Sequence, residues 1–309
     1  MASFSSGLNA NVVKTALDDV FNQTLSGDKH PGHVTAESGS VFKQDSADSS
    51  AVIWETFKGV GAWDTKAEEQ DVPSTAPRIA NQKTFSVVEF AKSVDIPKNF
   101  FDDNKHAAYE KMISNFGLRA RTTRDKNAFA VFRNAFTTAT TSDAVALLSN
   151  SHTNLNGDTV DNLVSGALSE TTLNTAIVQL LEMKSQDGEV DGFMPKTLLV
   201  PPALFKLATE ITESELRSDS ADNDLNVYSA KYGILVATTP YLGAAVGGSD
   251  TAWYLLSDNH SVYRFVRQAV QTSLVDYIYQ RNNNYIYKGS FREVVGAMSF
   301  EGIVGATGV

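Results

Sequence analysis

The first apolar pattern of the chain covers residues 8 to 25, where hydrophobic residues recur at gaps of one, three and four. That spacing places them on one face and predicts an amphipathic helix. Residues 26–50 lose the periodicity and are rich in Ser, Asp, Gly and His, which is typical of an extended arm. Little nearby sequence could cover the apolar face, so we expect it to dock on a neighbouring molecule. A mobile terminus is the alternative.

Two further stretches, 51–57 and 83–97, are rich in β-branched and aromatic residues and predict two strands. About 25 residues punctuated by Gly and Pro connect them, and a connection of that length is uncommon inside a compact domain. A two-stranded ribbon is also only marginally stable in water by itself. We therefore predict a protruding hairpin that lies on another subunit. The candidate contact residues in its connection are Trp63, Lys66, Glu68 and Glu69.

Residues 102–136 predict one long helix, with Asp102 or Asp103 as its N-cap. At about 1.5 Å per residue such a helix would be about 50 Å long, which indicates a flat or elongated subunit. Gly117 leaves the alternative of two helices in series, because glycine weakens a helix interior.

Residues 119–126 of this helix carry four basic side chains and one acidic side chain. One interpretation is a solvated helical face, which is the usual place for a run of charges. The other is contact with acidic segments of a neighbouring copy, such as Glu68 and Glu69 or the loop 213–224. A lining for a nucleic-acid-filled interior is a third possibility. The candidate contact residues are Arg119, Arg121 and Arg124.

From residue 143 onward the pattern changes to short alternating elements. A helix is predicted after Ser169, and a buried strand at 196–200 leads through two prolines into another helix. Further strands are predicted at 231–238, 253–256 and 262–266, followed by a strand pair within 271–287. The predicted fold class is α+β, with strands contributed from both ends of the chain.

Composition narrows the function classes. The 309 residues are 42% hydrophobic and 20% charged, which is a globular composition. The formal net charge of −10 argues against a surface that grips nucleic acid, although not against one that encloses it. The absence of cysteine excludes disulfides, thiolate metal sites and cysteine nucleophiles. No apolar run approaches the roughly 18 residues of a membrane span, so we expect no membrane partner.

Three patterns resemble functional motifs, and each lacks a part that the chemistry requires. The G-x-x-x-x-G frame of residues 27–32 lacks the Lys and Ser/Thr of a phosphate loop. His30 and His33 have no third metal ligand nearby. Asp222, Asp224 and Asn226 imitate a calcium loop without its glycine at position six or its glutamate at position twelve. We predict no catalytic residue, no cofactor, no metal site and no enzyme activity.

The order of the elements, from arm to hairpin, long helix, α/β insert and β-rich end, resembles a known family. The segments that carry the resemblance are SVVEFAKSVDIPKNFFDDNKHAAYEKMISNF (86–116), TLLVPPALFKLATEI (197–211), YSAKYGILVATTPYLG (228–243), WYLLSDNHSVYRFVRQ (253–268) and NNNYIYKGSFREVVGAMSFEGIVGA (282–306). Together they resemble the major capsid proteins of tailed bacteriophages, which have the Hong Kong 97 fold, and the last is similar to Mu-like head subunits. The resemblance implies an N-terminal arm (1–50), an E-loop hairpin (51–97), a P-domain spine helix (98–142), an A domain (143–252) and P-domain C-terminal strands (253–309).

The function that this resemblance implies is structural. Copies of the chain would form the hexamers and pentamers of an icosahedral shell that encloses double-stranded DNA without sequence-specific binding. A separate scaffolding protein, a portal and decoration proteins would be its partners, with assembly in the host cytoplasm and a final location in the virion capsid. Two alternatives stay open: an encapsulin-type shell around cargo enzymes, and a soluble hydrolase without a recognisable motif.

Overall fold

The computed structural model describes residues 10–26, 32–76, 78–99, 103, 106–214, 226–280 and 284–309. The helices in chain order are α1 (Ala10–Ser26), α2 (His106–Ala128), α3 (Ala130–Arg133), α4 (Glu170–Leu181) and α5 (Phe205–Glu213). The strands are β1 (Lys43–Ser46), β2 (Ala51–Lys58), β3 (Arg78–Ser86), β4 (Val88–Pro97), β5 (His152–Thr153), β6 (Thr159–Val160), β7 (Leu163–Val164), β8 (Pro195–Val200), β9 (Leu235–Thr238), β10 (Trp253–Ser257), β11 (Val262–Val275), β12 (Asn284–Ala297) and β13 (Ile303–Ala306). The protein is a mixed α+β fold, as the sequence predicts.

A long four-stranded sheet has the order β1-β11-β12-β4. Strands β11, β12 and β4 are antiparallel to one another, and β1 adds to the edge of β11 in parallel. Helices α1 and α2 pack on one face of this sheet, where Phe21, Ile113 and Tyr287 are buried in one apolar cluster. The sheet therefore combines β1 of the arm and β4 of the hairpin segment with two long strands near the end of the chain.

A second sheet of five strands has the order β7-β13-β10-β8-β9, with α4 and α5 packed against it. Its central strands β8 and β10 are almost wholly buried, as near-continuous apolar runs require. Ser169 caps α4, because its side-chain oxygen accepts a hydrogen bond from the backbone N–H of Thr172. In return, the side-chain oxygen of Thr172 accepts a hydrogen bond from the backbone N–H of Ser169. The predicted helix start at Ser169 and the predicted strand at 196–200 are confirmed.

The predicted strand 83–97 is wrong as a single element. The chain forms β3 against β2 and then, after Val87, forms β4 against β12, so the two halves belong to different sheets. The backbone N–H of Val87 donates to the carbonyl of Ser50 at 2.9 Å, which fixes the point of change. The sequence stays rich in β-branched and aromatic residues through this point, because a strand that changes partners keeps its extended conformation. Strand β3 also begins earlier than predicted, at Arg78.

The long helix ends at Ala128, not near Phe136, and its 23 residues span about 35 Å. Gly117 does not interrupt it. A Cβ at Gly117 would lie 2.8 Å from the carbonyl oxygen of Phe21, so the glycine lets α1 approach α2 closely. The shorter helix removes the argument for an elongated subunit based on its length. The predicted cap Asp102 lies outside the described residues.

Helix α1 confirms the predicted helix over its described residues, although Leu8 lies outside them. The expected docking of its apolar face on a neighbouring molecule is wrong. Val13, Leu17 and Phe21 are buried against α2, β4 and β12 of the same chain. Asp18 adds a polar connection, since its Oδ1 accepts hydrogen bonds from the hydroxyls of Thr272 and Tyr287, both at 2.6 Å.

One of the later strand predictions differs from the structure and another is confirmed. In the predicted strand 231–238 only β9 is extended, because residues 228–232 form a helical turn that ends at Gly233 in the left-handed region. The pair predicted within 271–287 is confirmed as the end of β11 and the start of β12. Within the described ranges, no helix is long and apolar enough to cross a membrane.

Candidate assembly surfaces

Strands β2 and β3 form a two-stranded ribbon that joins neither larger sheet. They pair from Ala51 opposite Ser86 to Lys58 opposite Arg78. We call residues 59–76, which follow β2 and contain no helix or strand, the tip. Large apolar side chains of the ribbon and tip are more than half exposed, namely Ile53, Phe57, Val60, Trp63, Val72 and Ile79. Such a concentration of exposed apolar surface is typical of an interaction site.

The base of the ribbon rests on its own subunit. The ring of Trp54 packs on Tyr263, with 5.3 Å between ring centroids. The ammonium of Lys83 donates a hydrogen bond to the carbonyl of Thr140. Burial lowers the pKa of Lys83, and the nearby carboxylate of Asp143 only partly offsets that effect. The ribbon therefore has a fixed direction, although its tip is open to solvent.

The four sequence-predicted contact residues of the hairpin all lie in the tip and are exposed. Trp63 is 95% exposed, and Lys66, Glu68 and Glu69 are exposed as well. The backbone N–H of Gly61 donates to Asp187 at 3.3 Å, which holds the start of the tip near its own subunit. The tip carries four acidic residues and one basic residue, so it is an acidic segment with an aromatic residue near its start.

The three arginines predicted as contact residues do not share one surface, because successive helical positions turn by about 100°. Arg119 is exposed, whereas Arg121 is half-buried and lies near the buried carboxylate of Asp125. Burial raises the pKa of Asp125, and Arg121 and Arg124 offset only part of that effect. Arg121 therefore offsets part of the cost of burying that carboxylate within its own subunit.

Arg124, the third predicted contact residue, is buried inside the subunit and so has almost no surface to offer to another copy. Its guanidinium donates to Glu37 of the arm and lies 3.9 Å from Glu293 of β12. Arg264 of β11 donates through Nε to the same Glu293 carboxylate at 2.9 Å. A buried carboxylate requires such partners, since desolvation strongly disfavours a lone charge. This network joins the arm, α2 and the long sheet.

Arg119 lies instead beside a groove between α2 and β4, which we call the α2–β4 groove. Two adjoining cavities of about 440 and 410 Å³ form it, and both are lined by Lys92, Phe116 and Arg119. Lys111 lines the first cavity, and Glu89 lines the second. Three basic residues and one acidic residue therefore surround the groove.

The floor of the α2–β4 groove is aromatic. Phe90 of β4 stacks on Phe291 of β12 with 5.0 Å between ring centroids and an angle of 18°. Phe116 of α2 lies 5.7 Å from Phe21 of α1 between ring centroids. Phe116 also covers Gly289, where a Cβ would lie only 3.1 Å from its ring, so the glycine makes room for it. The groove is thus an apolar trough with a basic rim.

Chemical machinery is sparse in the part of the chain that the structure describes. No group of three or more His, Asp or Glu residues there is arranged to hold a metal ion. His152 is buried, stacks on Phe300 and contacts Asp143 through Nδ1 at 2.7 Å. Burial lowers the pKa of His260 to about 4. The phosphate-loop frame through residue 31, His30, Asp222 and Asp224 lie outside the described residues.

Sequence reasoning missed two basic residues of the groove, Lys92 and Lys111. They belong to β4 and α2, which are separate in the sequence and meet only in the fold. It also missed the exposed apolar residues of the strands themselves. Ile53, Phe57 and Ile79 look like ordinary core positions of a strand, and their exposure depends on whether a second layer covers the ribbon.

Comparisons with known proteins agree with this architecture. A sequence model described as "Phage capsid protein" matches residues 81–306, close to three quarters of the chain. No curated protein sequence matches the chain significantly. The solved capsid of the cyanophage P-SCSP1u aligns with a TM-score of 0.57 at 12% identity, covering 94% of this chain and 93% of the other. A structure from Microbacterium phage Oxtober96 aligns at 0.55 and 16% identity (92% and 95% covered), and the capsid of cyanophage Pam1 at 0.53 and 14% (99% and 94% covered).

The chain belongs to the phage capsid protein family. It is a structural subunit of a phage capsid, and its role is structural, not enzymatic. The resemblance drawn from the sequence is confirmed at this level, and neither the encapsulin-type shell nor the soluble hydrolase is favoured.

Proposed function

We propose that the chain is the major head subunit of a tailed bacteriophage with the Hong Kong 97 architecture. Residues 1–50 form the N-terminal arm, 51–97 the E-loop hairpin, 98–142 the P-domain spine helix segment, 143–252 the A domain and 253–309 the P-domain C-terminal strands. The described order of ribbon, helix α2 and returning strands β11 and β12 supports this order of parts. Some pairings cross the proposed boundaries, since β4 pairs with β12, and β10 and β13 belong to the five-stranded sheet.

Copies of the subunit form hexamers and pentamers of an icosahedral shell around double-stranded DNA. The net charge of −10 supports enclosure without sequence-specific binding, because a duplex is repelled by an acidic protein. A separate scaffolding protein, a portal and decoration proteins are the expected partners. Assembly takes place in the host cytoplasm, and the assembled subunit is part of the virion.

The observation that carries this proposal is the uncovered ribbon. An apolar side chain such as Trp63 stabilises a protein only when it is buried away from water. Nothing within the described residues covers Trp63. Burial against a neighbouring copy supplies that cover and makes the stability of the hairpin depend on assembly. The proposed contact residues are Trp63, Lys66, Glu68 and Glu69 on one copy and Arg119 on the other.

The test is removal of residues 59–77. Because Lys58 and Arg78 pair directly, a two-residue Asn-Gly turn can close the shortened ribbon. We expect an unchanged circular dichroism spectrum and cooperative melting, together with loss of particles in electron microscopy and sedimentation. A segment that belonged to the core would instead unfold the subunit when deleted.

A matched variant replaces residues 59–77 with Gly and Ser at unchanged length. It separates the side chains of the tip from its reach, and we expect it to assemble no better than the deletion. Closed particles of normal stability from either variant would contradict the proposed role of the hairpin.

A further inference from the structure

The α2–β4 groove and the tip have matching chemistry. The tip contributes one aromatic residue, Trp63, followed within eight positions by Asp64, Glu68, Glu69 and Asp71. The groove contributes a floor of phenylalanine rings with basic side chains above it. Aromatic anchors in apolar pockets with a charged rim are typical of the strongest contacts in protein interfaces.

The charges at both places are available for a partner. Lys92, Lys111 and Arg119 are exposed and form no ion pair within the described part of the chain. The same holds for the acidic residues of the tip, which are likewise exposed. Basic side chains that remain unpaired around an apolar trough favour an acidic occupant, because opposite potentials steer association and fix its register.

The groove also has the size and polar groups that an indole ring requires. The cavities of about 440 and 410 Å³ fall in the range of small-molecule pockets. A buried indole N–H usually finds a hydrogen-bond acceptor. Asn115 lines the first cavity and Glu89 the second, so each cavity offers an acceptor to Trp63.

The tip does not use the groove of its own chain. Trp63 is almost fully exposed, and the N–H of Gly61 is bonded to Asp187, which follows α4 in the five-stranded-sheet region. The Lys83 contact with Thr140 also holds the ribbon against its own subunit. A tip that occupied the groove would therefore have to come from a second copy.

We propose that the tip of one copy docks in the α2–β4 groove of the next copy, with Trp63 on the phenylalanine floor and the acidic residues against Lys92, Lys111 and Arg119. This inference rests on the proposed function and makes it specific by assigning the receiving surface. It assigns Lys92 and Lys111 to the interface and replaces Arg124, which is buried.

Cysteine cross-linking tests this placement directly, because the chain contains no cysteine. The variant A62C/N115C places one thiol beside Trp63 and the other in the groove. The control A62C/S93C uses an exposed residue of β4 next to Lys92 whose side chain points to the opposite face of the sheet. On particles purified by sedimentation, we expect mild oxidation to give covalent multimers from the first variant and mostly monomer from the control.

A charge exchange tests the rim. We expect R119E/K111E to raise the concentration needed for assembly about tenfold or more. Adding E68K/E69K should restore most of the loss, which a merely structural defect would not permit. The control K126E changes an exposed lysine on the same helix that does not line the groove, and it should assemble normally.

The two failures are distinguishable. Particles that form normally but show no cross-link in A62C/N115C, or equal cross-linking in A62C/S93C, overturn the groove assignment and leave the subunit a capsid protein with another contact. An unmodified chain that forms no particles under any assembly condition overturns the proposed function, and the groove assignment with it.

Discussion

Helix α1 and the β2–β3 ribbon are both apolar elements of the first hundred residues, and they end in opposite environments. Phe21 of α1 is 1% exposed, whereas Phe57 of the ribbon is 58% exposed. Both elements have apolar side chains that their immediate sequence cannot cover. In α1 the cover comes from α2, β4 and β12 of the same chain, while the tip of the ribbon has no such cover within the described residues.

The difference shows that an apolar pattern indicates a surface that must be covered. It does not show whether another segment of the same chain or another molecule covers it. Helix α1 is covered by segments that lie about 80 to 270 positions further along the chain, so a local pattern contains no information about them. The ribbon has the same kind of pattern but extends beyond the layer formed by Phe85, Phe265 and Met298 at its base. We therefore expect different residues to determine the stability of the subunit and the stability of the shell.

The largest effect on the free subunit is expected from Phe21→Ala. Removing this fully buried ring leaves a cavity between α1, α2 and β12, which should lower the free energy of unfolding by about 3–5 kcal/mol. Urea denaturation of the subunit below its assembly concentration measures this. Phe57→Ala is the matched control and should change stability by less than about 0.5 kcal/mol. Similar losses from both variants would remove the contrast between the two elements.

The same contrast explains how far the sequence predicts the fold. Local signals sufficed where the deciding contacts are local, as at the Ser169 cap and the strand pair after residue 262. Local signals were not sufficient where contacts with distant segments determine the structure. One example is Val87, where the chain changes sheets. Another is Arg124, whose partners Glu37 and Glu293 are far away in sequence. For the site, the exposed tip follows from its polar, proline-containing sequence. The groove does not, because β4, α2 and β12 meet only in three dimensions.

A smaller loss is expected from Gly117→Ala, which adds a methyl group between α1 and α2. The new Cβ would lie 2.8 Å from the backbone carbonyl of Phe21, and backbone cannot move aside as a flexible side chain can. Overpacking of this kind costs about 1–3 kcal/mol, which outweighs the roughly 1 kcal/mol that alanine gains over glycine in a helix. Asn115→Ala, at an exposed position of the same helix, is the control. A net increase in melting temperature for Gly117→Ala would mean that the two helices are not closely packed.

Asp18→Asn should cost about 1–2 kcal/mol at pH 7, because it replaces charge-assisted hydrogen bonds from Thr272 and Tyr287 by neutral ones. Burial alone would raise the pKa of Asp18, but hydrogen bonds from Lys14, Thr272 and Tyr287 outweigh it and hold the pKa below its ordinary value. The carboxylate thus stabilises the fold above that ordinary value of 3.8, and this contribution is lost as the pH falls through the lowered pKa. Unfolding curves of the two proteins should therefore converge as the pH falls below 3.8 and through the lowered pKa, and a constant difference throughout that range would contradict this role of the charge.

The smallest effect on the free subunit is expected from Trp63→Ala, and the contrast between the two regions depends on this result. Trp63 is 95% exposed, so its removal takes away almost no buried contact and should change the free energy of unfolding by less than about 0.5 kcal/mol. Assembly should respond differently, because a tryptophan buried at an interface commonly contributes about 2 kcal/mol or more, which corresponds to about a thirtyfold weaker contact when it is lost. Light scattering of assembly against subunit concentration measures the second quantity, and Trp63→Phe should retain much of it because an aromatic ring remains. A variant that melts normally and also assembles normally would mean that the most exposed apolar side chain of the hairpin has no partner in the shell.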